Sequence, residues 1–238
     1  MISQYARLVT PSGTPEVSGS FLHLLRPDDA STLTGLGWLR RYRTGSRVIL
    51  QGDDGDTVFL ILEGRVKVTL DTAEGRETVL GVLGPGELLG EFEAIDTAGG
   101  PRTASNVALE PLACRVFTGD EFRAYLESHP LVAPVLLRVI IRRLRAADQR
   151  RADAGSLDTA HRLARFLVEL ADQRGQPDAD GIGVDIPLTQ DELASLIAAS
   201  RESVVRALTS LRARRLIATA RRRITIRDLD SLRAYARC

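Results

Sequence analysis

"LTQDELASLIAASRESVVRALTSLRARRLI" (residues 188–217) holds two short amphipathic runs separated by Ala198-Ala199-Ser200, with Arg201 and Glu202 following at once. Thr189-Gln190-Asp191-Glu192 has capping-box spacing, and Ser200 can cap the second run. The expected unit is a helix, a turn of three to four residues, and a second helix. Downstream, "LIATARRRITI" (216–226) reads as two short strands around a basic turn, and "DLDSLRAYAR" (228–237) as a closing helix with Asp228 as its cap. Two such helices followed by a basic ribbon form the pattern of a winged helix-turn-helix. Its second helix enters the major groove N-terminus first, which puts Arg201 and Glu202 at base edges. Arg206 lies four residues after Glu202 and shares its face. Arginine can bond bidentately to guanine, and a carboxylate can accept from cytosine N4. Val204, Ala207, Leu208 and Leu211 are expected to face the core. Ser200, Ser203 and the turn Arg221-Arg222-Arg223 suit phosphates. Thr189 and Gln190 complete the expected DNA-facing set.

The charge distribution agrees with that reading. The net charge of +1 hides a polarity: residues 1–137 carry 12 basic and 18 acidic side chains, residues 138–238 carry 20 and 13. Residues 200–238 alone hold 11 arginines against 3 acids. An acidic half and a basic half suggest a regulatory part joined to one that faces a polyanion. The chain has 238 residues, 44% of them hydrophobic and 26% charged, an ordinary balance for one or two globular domains. No apolar run approaches the ~18 residues of a membrane span, and "MISQYARLVTPSGTPEVSGS" (1–20) lacks signal-peptide organisation. The expectation is a cytoplasmic protein without a membrane partner, with residues 1–20 a flexible tail. Cys114 and Cys238 have no CxxC partner, and His23, His129 and His161 are scattered. No metal site, iron–sulfur cluster or disulfide framework is expected. Cys114, in an apolar run, reads as a buried structural thiol.

Between about 38 and 118 the pattern is all-β. "RVILQGDDGDTVFLILEGRVKVTLDTAEGRETVLGVLGPGELLGEF" (47–92) alternates short runs rich in Val, Leu, Ile and Thr with glycine turns. Regular short strands of this kind suggest a barrel or jelly roll. "FLHLLRPDDASTLTGLG" (21–37) reads as short helical turns. From about 119 the period becomes helical. Residues 131–154 place Leu137, Ile140 or Ile141, Leu144 and Ala147 on one narrow stripe, with arginines elsewhere. A stripe spaced by threes and fours suits a two-stranded seam, so residues 131–154 are expected to dimerise two chains. Residues 155–175 read as another helix, capped near Ser156 or Asp158, and 174–183 as a polar loop. The fold class is therefore α+β, with the sensor domain spanning 21–130 and the DNA-binding domain 155–238.

The Ser-Arg-Glu-x-Val-x-Arg core at Ser200, Arg201, Glu202, Val204 and Arg206 resembles the reading helix of the cyclic AMP receptor protein and fumarate–nitrate regulator family. The resemblance covers residues 21–238. It implies that Arg201, Glu202 and Arg206 read half-site bases. "ATARRRITI" (218–226) departs from the family in lacking a wing glycine. "GDDGDTVFLILEGRVKV" (52–68) is similar to the family's glycine-punctuated hairpins. "GPGELLGEFEAIDTAGGPRTASNVAL" (84–109) looks like its phosphate-binding cassette within a cyclic-nucleotide-binding β-roll. Gly90, Glu91 and Phe92 can begin a short helix with free N–H groups. Arg102 supplies a guanidinium for a cyclic phosphodiester and Thr103 a hydroxyl. Glu91 can accept from a ribose hydroxyl. The resemblance places Ala147 and Asp148 near the base, where Ala147 has no hydroxyl to offer.

What the resemblance implies is a homodimeric transcription regulator. Its partners are a palindromic double-stranded DNA operator and RNA polymerase, and its effector is cyclic AMP, with cyclic GMP open. The alternative is a regulator of the same family with a vestigial pocket, which works without ligand, answers redox through Cys114, or responds to another signal. A phosphodiesterase or other hydrolase would need a metal cluster or a nucleophile–base pair, and the sequence has no such spacing.

Overall fold

The computed structural model describes residues 19–96, 100–220 and 222–237. The chain divides into two compact units, one of residues Gly19–Asp148 and one beginning at Gln149.

The first unit opens with helices α1 (Phe21–Leu24) and α2 (Pro27–Gly35). Eight strands follow: β1 (Trp38–Tyr42), β2 (Arg47–Ile49), β3 (Val58–Glu63), β4 (Val66–Asp71), β5 (Glu77–Leu83), β6 (Leu88–Leu89), β7 (Ser105–Ala108) and β8 (Leu112–Phe117). A five-residue helix, α3 (Glu91–Ile95), lies between β6 and β7. The strands form two antiparallel sheets, ordered β1-β8-β3-β6 and β2-β7-β4-β5. This is the β-roll that the alternation of strands and glycine turns predicts.

Strand β3 explains how the roll is held. Val58, Phe59, Leu60 and Ile61 are all buried, because both faces of its sheet are covered. Successive side chains point to opposite faces. Phe59 and Ile61 join Ile49, Val66, Ala108, Leu112, Cys114 and Val116, drawn from strands of both sheets. Val58 and Leu60 join Phe21, Leu33, Phe117, Phe122 and Tyr125 beneath the helices.

Helix α4 (Gly119–Ser128) starts at a capping box between Thr118 and Glu121, and α5 (Val132–Ser156) follows. Val132, Leu136 and Val139 of α5 pack into the helical cluster of the first unit. Leu137, Ile141 and Leu144 form a second stripe, 57%, 37% and 59% exposed in the single chain. Of the two isoleucines considered for the stripe, Ile141 lies on it, and Ile140 packs inward.

The second unit contains α6 (Thr159–Arg174), β9 (Gln176–Asp178), β10 (Gly181–Asp185), α7 (Gln190–Leu196), α8 (Arg201–Ala213), β11 (Ile217–Ala220), β12 (Arg223–Ile226) and α9 (Leu229–Arg237). Asp158 caps α6 by accepting from the His161 amide. Residues 174–183, expected as a loop, instead contain β9 and part of β10. These pair onto the wing to make one antiparallel sheet, β11-β12-β10-β9. The polar composition concealed them because the strands are three and five residues long and only Gly183 and Val184 are buried. Leu163, Leu167, Val204, Leu211, Ile226 and Leu232 form this unit's core. No single helix among the described residues is long and apolar enough to cross a membrane.

Candidate functional sites

The helix-turn-helix forms as its caps dictate. Thr189 and Glu192 close a capping box on α7, and Ser200 Oγ accepts from the Ser203 amide at 3.2 Å to cap α8. The turn between them passes through Ala198 at φ 53°, a left-handed residue. Val204, Ala207 and Leu211 are buried and Leu208 packs on the same core, so the inward face of α8 is the expected one. Arg201, Glu202 and Arg206 are all exposed on the outer side. Arg206 Nη2 donates to Ser203 Oγ at 2.8 Å, and Arg201 stands 3.8 Å from Asp191. Backbone hydrogen bonding at the α8 start and a bond from Ser200 hold the Glu202 carboxyl below its ordinary value. It is therefore ionised and an acceptor near neutral pH. Gln190 and Thr189 are exposed at the start of α7.

The wing turns without glycine: Arg222 itself adopts φ 59° and is exposed. Arg223 departs from expectation. Its guanidinium is bound to Asp185 at 3.0 Å and Asp178 at 3.2 Å, so it ties β12 to β10 and β9 rather than standing free for phosphate. Arg221 lies outside the described residues.

In the first unit the cassette closes around Arg102, which is 6% exposed. Its backbone is clamped to the 52–53 turn: the Gly52 amide donates to Arg102 O and the Arg102 amide to Asp53 O. Its side chain donates to Gly90 O at 3.1 Å and Thr57 O at 2.7 Å. Gly90 has φ 72°, and a Cβ there would stand 2.5 Å from Arg102 Nη1 and 2.7 Å from Thr57 O. The glycine is required both by the turn and by the guanidinium laid across it. Arg102 Nη1 pairs with Glu93 at 3.1 Å. Thr103 donates to the same carboxylate through its amide at 3.0 Å and its hydroxyl at 3.1 Å. A guanidinium, an amide and a hydroxyl thus converge on one oxyanion. That donor set fits a phosphodiester equally well.

Glu91 is buried and takes another partner: Arg143 Nη1 of α5 donates to it at 2.7 Å. Burial pushes the Glu91 carboxyl up, against the pull of the Arg143 charge. Neither Glu91 nor Arg102 pairs with the other. Phe92 is 46% exposed. Ala147 is half-buried and Asp148 exposed, one turn beyond Arg143 on α5. Arg143 is thus an α5 side chain that hydrogen-bonds directly to the cassette, at Glu91 and at Leu88 O. Arg143 and Glu93, which contact the cassette residues here, were not singled out from the sequence. Arg143 stands four residues before Ala147, a spacing that puts both on one helix face and could have drawn attention to it.

Residues 39–129 match the cyclic nucleotide-binding domain family, and residues 161–235 match the Crp-like helix-turn-helix domain. The CRP-like cAMP-activated global transcriptional regulator of Mycobacterium tuberculosis is 33% identical, over 81% of this chain and 85% of its own length. The chain belongs to the CRP family. The Cyclic AMP receptor protein of Thermus thermophilus is also 33% identical, over 79% of this chain and 83% of its own. A solved CRP-family transcriptional regulator, also from Thermus thermophilus, superposes with a TM-score of 0.68 at 28% identity, covering 84% of this chain and 97% of that one. This CRP-family chain is a DNA-binding transcription regulator under the control of a small ligand, with a cyclic-nucleotide-binding β-roll and a helix-turn-helix.

Proposed function

We propose that cyclic AMP is the controlling ligand and that Arg102 and Thr103 hold its phosphodiester. The convergence of three donors on one oxyanion at a buried arginine carries this reading. The relatives named as cAMP-activated support the choice of base over cyclic GMP. Glu91 and Arg143 link the cassette to α5, so a ligand beside them acts on the helix whose second apolar stripe is Leu137, Ile141 and Leu144. Two chains pair along that stripe, and the ligand favours one coil register. It can do so only through its differential affinity for the two registers. In that register two α8 helices lie about one DNA turn apart, ~34 Å, and engage the halves of a palindromic operator. Arg201, Glu202 and Arg206 read base edges. Thr189, Gln190, Ser200, Ser203 and Arg222 meet phosphates. The assembled dimer on DNA then presents itself to RNA polymerase.

A redox response through Cys114 has physical grounds against it. The thiol is fully buried between the sheets of the roll, and burial pushes its pKa up to about 12. Such a group holds almost no thiolate at neutral pH to be oxidised.

The test is operator binding, followed by fluorescence anisotropy, with and without cyclic AMP. Wild type should gain affinity with nucleotide and Arg102→Ala should not. Equal affinity with and without each cyclic nucleotide would sink the proposal and leave the DNA-binding assignment intact.

A further inference from the structure

Glu93 is not among the ligand-holding residues proposed above, yet it bonds to both of them, Arg102 and Thr103. Its side chain is 9% exposed. Oε2 accepts from Arg102 Nη1 at 3.1 Å, and Oε1 accepts from the Thr103 amide at 3.0 Å and the Thr103 hydroxyl at 3.1 Å. These are the three donors assigned to the cyclic phosphodiester. A neighbouring cassette carboxylate, Glu91, is held by Arg143 and does not compete for them.

We propose that Glu93 is an internal occupant of the phosphate seat, and that a cyclic nucleotide binds by displacing its carboxylate from Arg102 and Thr103. The inference rests on the nucleotide reading of the pocket. A carboxylate and a cyclic phosphodiester each carry one negative charge, so the exchange leaves the charge facing Arg102 unchanged. Burial opposes ionisation of Glu93, but hydrogen bonds led by the Thr103 amide outweigh it and hold the carboxyl below its ordinary value. The competitor is therefore charged at neutral pH.

Two consequences follow from mass action. The apparent affinity for nucleotide is the intrinsic affinity reduced by the fraction of molecules in which Glu93 has left the seat. The chain then responds only to nucleotide concentrations well above those that an open seat would need. Removing the competitor removes that penalty.

The experiment is calorimetric titration of the full chain with cyclic AMP, for wild type, Glu93→Gln, Glu93→Ala and Arg102→Ala. Circular dichroism checks that each variant is folded. Glu93→Gln is the conservative arm: it keeps the size and one oxygen acceptor while removing the charge, so Arg102 is not left facing a void. Binding at least tenfold tighter in Glu93→Gln and Glu93→Ala than in wild type, and abolished in Arg102→Ala, is the expected result. Equal or weaker binding in both Glu93 variants overturns the inference while leaving the nucleotide reading standing. No binding by wild type or by either Glu93 variant overturns both.

Discussion

At the scale of single residues, two positions put the proposed recognition of DNA and of ligand to the test. Arg201 is the first residue of α8, exposed and only 3.8 Å from the equally exposed Asp191, a pairing worth little against a base. Arg201→Ala is expected to cost ~1–3 kcal/mol at its own base pair and to relax specificity there. Anisotropy against operators varied one position at a time checks this, and a uniform loss across all sequences would make Arg201 a phosphate contact instead. Gly90 is the second position. Gly90→Ala forces a Cβ into a left-handed backbone and against Arg102 Nη1 and Thr57 O. The backbone term alone costs about 1–2 kcal/mol. The variant should unfold earlier in denaturant and lose nucleotide affinity, both measurable on one preparation. Gly90, Arg102 and Thr103 were legible in the sequence because a cassette fixes their spacing. Glu93 was not, because spacing cannot say which way a carboxylate turns.

Secondary-structure elements depend on short polar caps that the sequence displays openly. Ser200→Ala removes the acceptor for the Ser203 amide and should destabilise the second unit by about 1 kcal/mol. Thermal unfolding of the variant against wild type would read this as a lower Tm with α8 still formed. Besides Glu202, three aspartates of this unit sit below their ordinary value of 3.8. Asp158 is lowered first by the His161 amide, Asp178 by the Ala179 amide and Asp228 by the Ser231 hydroxyl. A lowered pKa means that the unfolded state takes up protons first as pH drops. Their contribution is complete above about pH 3.8 and is lost as pH falls through and below it. Tm should therefore decline over that acid range, and replacing Asp158 and Asp228 with Asn should flatten the decline while preserving the caps. The hairpin of β9 and β10 shows the limit of local reading. Its strands are too short and polar to announce themselves, and they exist because β12 offers β10 an edge to pair with.

For the whole molecule the decisive feature is a helix with two apolar faces. Val132, Leu136 and Val139 of α5 are satisfied within the chain, whereas Leu137, Ile141 and Leu144 are not. If the exposed stripe is the seam between two chains, Leu144→Glu places like charges across it. Analytical ultracentrifugation should then find monomer, and operator affinity should fall because one reading helix must bind without its twin. An unchanged dimer would move the interface elsewhere. Binding should also weaken steeply with salt, with a slope of about −0.9 for each phosphate neutralised, and Arg222→Ala should reduce that slope by about 1 without altering base preference.

The amino-acid sequence by itself determined the periodicities, the caps and the charge polarity, and hence a β-roll, a long helix and a winged helix-turn-helix. These are local properties, written in spacings of two, three and four residues. Only the tertiary structure decided which charges are spent inside the protein. Arg223 is committed to Asp178 and Asp185, Glu91 to Arg143, and Glu93 to Arg102 and Thr103. The pairings of Arg223 and of Glu91 join residues on different elements of the fold. Glu93 meets Arg102 and Thr103 only because the cassette folds back on itself. The energy of a charge pair depends on the distance and burial that folding creates, and no sequence interval encodes either.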